Sequence, residues 1–296
     1  MNKLGIFVNF WEKSWDIDYK YYIDKVAKLG YDILEFQAQP LLDIDDCDCK
    51  AIKKYADEKG IKLSYSLGLN MKYDVASKDK QIRDGGIKYL SDIVRKIAVM
   101  DGELFSGVTY CGWGVPAHFV DQQEKEDMFC RSVDSMKQVM KVAESEGVTV
   151  CCEAVNRFES PLINTAKEAI KYADMVDSPN VGIHLDTYHM NIEEDNIGDA
   201  IRLVGKRLRH FHTGENNRNV PGRGHINWDE IFRALKDVDY KNDIVSEPFL
   251  QMGNEVGYDI RVWREILANP NEEKLDSEAK FLLDFTKMML HKYNLD

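Results

Sequence analysis

The sequence has 296 residues, of which 44% are hydrophobic and 10% aromatic, and this excludes both a disordered chain and a small disulfide-stapled fold. Its 39 basic and 51 acidic residues give a net charge of −12, which disfavours nucleic acid and anionic membranes as partners. The same excess favours neutral or cationic partners, including a divalent metal ion wherever several carboxylates converge.

Short apolar segments rich in β-branched or aromatic residues alternate along the chain with amphipathic, charged segments. The predicted strands are residues 4–10, 32–36, 63–67, 104–110, 148–155, 181–187, 208–213 and 244–249. The predicted helices are residues 19–29, 49–59, 80–100, 124–146, 166–176, 198–206 and 228–236, with a closing helix at 279–293. Acidic residues at 43–48 are expected to start the second helix, where they favour the helix dipole.

Alternating strands and helices require a parallel sheet, and eight such units favour a closed barrel over an open doubly wound sheet. No linker rich in Pro, Gly or Ser divides the chain, so we expect a single (β/α)₈ TIM-barrel domain over residues 1–296. An open sheet stays an alternative, although neither GxGxxG nor GxxxxGK[ST] marks a nucleotide site. In a TIM barrel the active site lies at the C-terminal ends of the strands.

The cysteines and the chain start predict a cytoplasmic protein. The six cysteines include no repeated CxxC and lack the density of a disulfide framework, so reduced thiols are expected. The opening MNKLGIFVNFW is too short an apolar stretch for a signal peptide. No apolar run approaches the roughly 20 residues that a membrane span needs.

Four polar residues stand at the predicted strand ends of the second half: Glu153, Asp186, His212 and Glu247. Their separations of 33, 26 and 35 residues are each about one βα unit, so the four side chains are predicted to meet at the barrel mouth. Three carboxylates and one imidazole suit Mn²⁺, Co²⁺ or Mg²⁺ better than a thiolate-selected zinc ion. Unpaired carboxylates in this position would repel one another unless a cation or protons compensated them.

The segments around these four residues resemble the signatures of a known enzyme family. They are EAVNRFES (153–160), LDTYHMNIEE (185–194), HFHTGENNR (210–218) with VPGRG (220–224), and SEPFLQMG (246–253). They are similar to the ketose 3-epimerases, the D-tagatose and D-psicose (D-allulose) 3-epimerase family of xylose isomerase-like barrels. The resemblance runs from GIFVNFWEKSW to VWREI.

The resemblance implies one divalent metal ion per subunit, Mn²⁺ or Co²⁺ with Mg²⁺ as a further candidate, held by Glu153, Asp186, His212 and Glu247. It further implies that a small ketose is the substrate and that the chain forms a homodimer or homotetramer. The residues expected to contact the sugar are Glu159, His189 and Arg218, with Trp113 and Phe7 as apolar walls.

Epimerisation at C3 explains the need for two glutamates. A proton must leave one face of C3 and another must return to the opposite face, so Glu153 and Glu247 are expected to exchange the roles of base and acid around a cis-enediolate. Asp186 and His212 are expected mainly to hold the ion. His184 and His210 lie on the same strand faces one layer deeper, and they are predicted to be buried, hydrogen-bonded residues and not ligands.

The first half of the chain departs from the family pattern, with Phe7 where a tyrosine is common and SLGLN at 66–70 in place of a GxGP-like loop. The preferred pair, D-allulose with D-fructose or D-tagatose with D-sorbose, is therefore left open, as are the cognate metal and the glutamate that acts first. Open alternatives are another sugar isomerase, an inosose dehydratase or a C-glycoside lyase on the same barrel. A non-catalytic sugar-binding protein is a further alternative, and an endonuclease is disfavoured by the acidic charge.

Overall fold

Eight parallel strands close into a barrel in the order in which they occur along the chain. The structure is a computed structural model and describes residues 2–116 and 118–296. The strands are β1 (Leu4–Phe7), β2 (Ile33–Gln37), β3 (Lys62–Gly68), β4 (Leu104–Val108), β5 (Thr149–Ala154), β6 (Val181–Asp186), β7 (Leu208–Thr213) and β8 (Ile244–Ser246). The predicted (β/α)₈ barrel is confirmed.

The helices cover the outside of the barrel and its mouth. They are α1 (Tyr19–Leu29), α2 (Asp46–Glu58), α3 (Lys80–Val99), α4 (Gln122–Glu146), α5 (Ala166–Val176), α6 (Thr187–Glu193), α7 (Ile197–Val204), α8 (Trp228–Asp237), α9 (Glu255–Asp259) and α10 (Glu272–Lys292). In the described ranges, none of them combines the length and the apolar character needed to cross a bilayer.

Polar caps set the helix starts. Asp45 accepts a hydrogen bond from the backbone N–H of Asp48, so the acidic cluster does begin α2, as predicted. At the start of α5, Thr165 and Glu168 form a reciprocal capping box. Asn271 caps α10, which therefore begins seven residues before the predicted start at 279.

Several predicted strands end early because the chain turns at the barrel mouth. The apolar run of the first strand continues past Phe7, but residues Val8–Phe10 form a 3₁₀ turn, all of it buried. The last strand ends at Ser246, so Glu247 lies just beyond β8. Thr187 was expected in a strand but begins the unpredicted helix α6, because the Asp186 side chain caps that helix by accepting from the Tyr188 backbone N–H.

Strand pairing fixes which residues share a level of the barrel. Closure runs through β1 and β8, where Leu4 pairs with Ile244 and Ile6 with Ser246. Between β6 and β7, Asp186 pairs with His212. Asp186 and His212, two of the predicted metal ligands, are therefore held at one height by backbone hydrogen bonds, which makes their relative position a property of the sheet.

Adjacent glycines in α3 give a test of the packing. A Cβ on Gly85 meets nothing within 4 Å, whereas a Cβ on Gly86 would lie 2.1 Å from the carbonyl oxygen of Tyr73. Gly85→Ala should raise the free energy of unfolding by about 0.5–1 kcal/mol, because alanine costs less backbone entropy in a helix. Gly86→Ala should lower it by about 1–3 kcal/mol through overpacking.

Urea unfolding followed by circular dichroism measures both changes. Equal effects of the two substitutions would contradict the close approach of the Tyr73 carbonyl oxygen to the position of a Cβ on residue 86.

Candidate active site

The structure brings together all four residues predicted at the strand ends. Glu153 belongs to β5, Asp186 ends β6, His212 lies in β7 and Glu247 follows β8. The Nδ1 atom of His212 is 3.9 Å from Asp186 Oδ2 and 3.8 Å from Glu247 Oε1. One ligand atom each from Glu153, Asp186 and His212 lies within 4.8 Å of the others. These separations are too long for hydrogen bonds and leave room for an ion between the atoms.

The ligand atoms of this group are buried without partners. Glu153 Oε1, Asp186 Oδ2 and His212 Nδ1 make no hydrogen bond within the described residues, although each is shielded from solvent. Buried polar atoms are normally satisfied, and leaving several unpaired at one point is costly. The set of oxygen and nitrogen donors fits a divalent cation, so these residues can hold a metal ion.

The charges in this group are mutually unfavourable without a cation. Burial raises the pKa of Glu153 well above its usual range, and the nearby Glu247 and Asp186 raise it further. For His212, burial alone would lower the pKa, but Glu35 and Glu247 raise it well above its usual range. Burial is thus the main cause of the raised pKa of Glu153, whereas for His212 the nearby carboxylates outweigh burial.

Arg218 joins the metal-ligand group to the sugar-binding candidates. Its Nη1 donates to Glu247 Oε2 at 3.1 Å, and its Nη2 donates to Glu159 Oε1 at 3.2 Å. The guanidinium lies 3.8 Å from the centre of the Tyr188 ring and 5.1 Å from that of Phe249. Arg218 is thus a buried, paired residue and not a solvated loop arginine, while its contact with a substrate stays a prediction.

Glu159 is held from three sides. Besides Arg218, Trp113 Nε1 donates to its Oε2 at 3.0 Å and Asn156 Nδ2 donates to its Oε1 at 3.1 Å. Burial alone would raise the pKa of Glu159, but His189 and Arg218 lower it below its usual range, so the group stays ionised. Glu159 therefore anchors both the arginine and the tryptophan that face the cavity.

His189 points one ring nitrogen at the catalytic group. Its Nδ1 accepts from the backbone N–H of Asn156 at 3.1 Å, which places the ring proton on Nε2. That Nε2 is 3.7 Å from Glu153 Oε1. Burial lowers the pKa of His189, so the ring is a neutral donor directed into the cavity.

Phe7 and Trp113, the predicted apolar walls for a sugar, both line the inner cavity. Trp113 packs over the end of β3, where a Cβ on Gly68 would lie only 2.9 Å from the indole ring. Outside these walls, the cavity widens into a vestibule of about 810 Å³. The vestibule is lined by Ser14, Trp15, Asp16, Gln37, Gln39, Pro40, Asp43, Ile44, Gly68, Asn70, Met71, Trp113, Gly114, Phe158, Glu159, Glu255, Asp259 and Arg261.

Sequence reasoning missed one buried acid and misjudged one histidine. Glu35 in β2 is wholly buried and contacts both His210 and His212. A lone glutamate inside the apolar run ILEF was the available signal. His210 is buried and hydrogen-bonded as predicted, but His184, although buried, has neither ring nitrogen hydrogen-bonded within the described part of the chain. That half of the prediction for His184 was wrong, because the ring packs in T-shaped geometry against His210 and His212, and its Nδ1 is 3.7 Å from Glu153 Oε2, too far for a hydrogen bond.

Comparison with known proteins agrees with this geometry. The sequence model of the xylose isomerase-like TIM barrel family matches residues 23–284. A D-psicose 3-epimerase of Ruminiclostridium cellulolyticum is 45% identical over 99% of this chain and 100% of that protein. The chain belongs to the ketose 3-epimerase family of these barrels. The family resemblance predicted from the sequence motifs is thereby confirmed.

Other members of the ketose 3-epimerase family extend the comparison. A D-psicose 3-epimerase of Agrobacterium fabrum is 36% identical over 97% of this chain and 99% of that protein. The crystal structure of a D-psicose 3-epimerase with D-tagatose from Clostridium cellulolyticum H10 superposes with a TM-score of 0.94 at 45% identity. That superposition covers 97% of this chain and 99% of the other.

Metal binding should stabilise the fold. An ion that binds only the folded state adds about 2.7 kcal/mol at a concentration 100 times its Kd, so Mn²⁺ should raise Tm relative to protein treated with EDTA. In Asp186→Asn the asparagine still caps α6, but it removes a charged ligand, so the gain should be much smaller. Thermal unfolding with MnCl₂ or EDTA measures both. A Tm that is the same in Mn²⁺ and EDTA would contradict the fit of the site to a cation.

Proposed function

We propose that this enzyme interconverts free ketoses at C3, using Glu153 and Glu247 as the acid–base pair. The observation that carries the proposal is the convergence of these carboxylates, from β5 and from the end of β8, on the group completed by Asp186 and His212. Strands β5 and β8 lie three positions apart in the closed barrel, so the two carboxylates approach the mouth from different directions. A substrate bound between them would have one carboxylate on each of two faces.

The two glutamates account for inversion at one carbon. One carboxylate removes the proton from C3, and the electron pair of that C–H bond moves toward C2 and its carbonyl oxygen, which gives a cis-enediolate. The other glutamate, as a carboxylic acid, returns a proton to C3 from the opposite face. In the reverse direction the two residues exchange roles.

The residues that can hold a metal ion fit this reaction. We propose that Glu153, Asp186, His212 and Glu247 bind one divalent ion, with Mn²⁺ or Co²⁺ favoured over Mg²⁺ by the presence of an imidazole ligand. When bound, such an ion supplies positive charge that stabilises the developing enediolate oxygens. Asp186, which caps α6, and His212 then serve mainly to fix the position of that charge.

The surrounding groups are suited to orient the sugar. Arg218 and the Nε2–H of His189 are donors for the carbonyl and hydroxyl oxygens of the ketose. Glu159 is an acceptor for a hydroxyl and keeps Arg218 in place. Phe7 and Trp113 provide apolar surface for the C–H faces of the sugar. D-Allulose with D-fructose, or D-tagatose with D-sorbose, are the candidate pairs, since relatives are named for D-psicose and one structure contains D-tagatose.

We also propose a cytoplasmic homodimer or homotetramer. All six cysteines are free, which suits a reducing compartment. Large apolar side chains are exposed around the mouth, including Phe158, Tyr258 and Trp263, as is typical of an interface between subunits. Light scattering on the purified protein measures its mass, and a monomer would contradict this part of the proposal.

Solvent exchange tests the reaction directly. Metal-loaded enzyme is incubated with a panel of ketoses in D₂O and followed by NMR. Deuterium should appear at C3 together with the C3 epimer, because the proton that leaves is not the one that returns. Exchange at C1 alone would indicate an aldose–ketose isomerase, and no exchange in any ketose would overturn the proposal.

The glutamate pair is tested by Glu153→Gln and Glu247→Gln. Each amide cannot transfer the proton, so kcat should fall at least about 100-fold. Glu144→Gln, an exposed residue at the end of α4, is the matched control and should keep full activity. A variant at 153 or 247 that kept wild-type turnover in the steady-state assay would remove that residue from the mechanism.

The role of Arg218 is tested by Arg218→Lys. Lysine keeps the charge but cannot bridge Glu159 and Glu247, so kcat/KM should fall about tenfold or more. Arg157→Lys changes an exposed arginine that makes a similar forked contact with Glu193, and it should behave like the wild type. Equal kinetics for Arg218→Lys and Arg157→Lys would contradict a substrate role for Arg218.

A further inference from the structure

Glu35 is a buried acid that the reaction scheme above does not use. It lies in the middle of β2, paired with Phe7 of β1 and with Ser64 of β3, and it has no exposed surface. Its neighbours in the strand, Leu34 and Phe36, are also buried. A charged side chain in such a position is expensive unless its partners are specific, and those partners indicate what it does.

Both carboxylate oxygens of Glu35 face imidazoles. Its Oε1 is 2.6 Å from His212 Nε2, and its Oε2 is 2.8 Å from His210 Nε2. Ser64 Oγ donates to the same Oε2 at 2.5 Å. A carboxylate oxygen within hydrogen-bond distance of an imidazole nitrogen accepts from the N–H of that nitrogen, so the geometry places an N–H at Nε2 of each histidine.

This assignment determines which nitrogen of His212 is free. With the proton held on Nε2 by Glu35, the nitrogen whose lone pair can meet a cation is Nδ1. That atom is the one directed between Asp186 Oδ2 and Glu247 Oε1. The contact also limits where Nδ1 can point, because the two ring nitrogens flank Cε1 and their outward directions diverge in the plane of the imidazole.

The same contacts argue against a second ion among His184, His210 and His212, whose ligand atoms are also close together. The Nε2 atoms of His210 and His212 are already directed at Glu35 and lie 3.1 Å from each other. Two of the three rings therefore offer no Nε2 lone pair. The cluster is better explained as support for one ligand, His212.

We propose that Glu35 is a positioning residue that fixes the tautomer and ring orientation of His212 for metal binding, with His210 and Ser64 holding Glu35 in turn. Carboxylates that accept the second N–H of a ligating histidine also raise its basicity, and their loss typically weakens metal binding about 10–100-fold. The inference rests on the metal site of the proposed function. It is tested by metal affinity and not by turnover, so the two can fail separately.

The first measurement is the Kd of Mn²⁺ for apo protein, by isothermal titration calorimetry, for wild type and Glu35→Gln. The glutamine keeps the shape but can accept from only one imidazole, and the Kd should rise about 10–100-fold. Glu124→Gln is the matched control, because it removes another mostly buried, ion-paired carboxylate, at the start of α4, whose ion-pair partners are Lys78 and Arg131 and not a proposed metal ligand. Its Kd for Mn²⁺ should equal that of the wild type.

The second measurement is the visible d–d absorption of the Co²⁺-loaded protein, which reports ligand geometry. Glu35→Gln should change the band positions or intensities, while Glu124→Gln should not, although both lose a buried charge. A general loss of stability would affect the thermal unfolding of the two apo variants without altering the Co²⁺ spectrum of folded protein.

If Glu35→Gln fails to fold, Glu35→Asp is a second variant with which the proposal can be tested. Aspartate retains the charge but is one methylene shorter, so it cannot reach both imidazoles and should also weaken Mn²⁺ binding. Wild-type affinity and an unchanged Co²⁺ spectrum in either folded variant would overturn the proposal. If wild-type protein binds Mn²⁺ but exchanges no C3 proton, the proposed function fails while Glu35 is still tested. If it binds no Mn²⁺ or Co²⁺, both fail.

Discussion

The barrel mouth concentrates negative charge in a space that excludes most water, and the rest of the site is arranged around that constraint. Glu153 and Asp186 are buried, and Glu247 is mostly so. Burial raises the pKa of Glu153 well above its usual range, and repulsion from Glu247 and Asp186 raises it further. Around them stand the compensating groups, Arg218 beside Glu247 and the imidazole of His212 at the centre. The buried oxygens Glu153 Oε1 and Asp186 Oδ2 still make no hydrogen bond within the described residues, and the proposed divalent cation would supply the positive charge that they lack.

The relative position of Asp186 and His212 is set by strand pairing and not by loops. The backbone pairing of Asp186 with His212 fixes two ligands at one level, and α6 begins at once because Asp186 also caps it. One carboxylate thus has two roles: one oxygen accepts from the Tyr188 backbone N–H, and the other faces the site. The same short helix, α6, places His189 and Tyr188 at the mouth. The stacking of Tyr188 on Arg218 and the position of the His189 donor therefore both depend on the end of β6.

The sequence was sufficient for the barrel and for the residues at the strand ends, because both follow from local periodicity and spacing. Glu153, Asp186, His212 and Glu247 each lie near the C-terminal end of a predicted strand, and closure of the barrel brings such residues together. Contacts across the barrel were not predictable in this way. Glu35 and His212 are 177 residues apart, and nothing in ILEF shows which strand its glutamate faces. The helix at 187–193 was missed because the apolar pattern predicted a strand over 181–187. The helix start depends on capping by the Asp186 side chain, which that pattern does not show.

The vestibule explains why a neutral sugar is the better fit to this mouth. Its lining includes Asp16, Asp43, Glu255 and Asp259, with Arg261 as the opposing charge, so the entrance is negative on balance. A phosphate ester would meet that field within about one Debye length, roughly 8–10 Å, and would be repelled. A free ketose carries no charge and does not meet this repulsion. The acidity of the chain therefore bears on specificity at the entrance, where carboxylates separate from those at the strand ends favour an uncharged substrate.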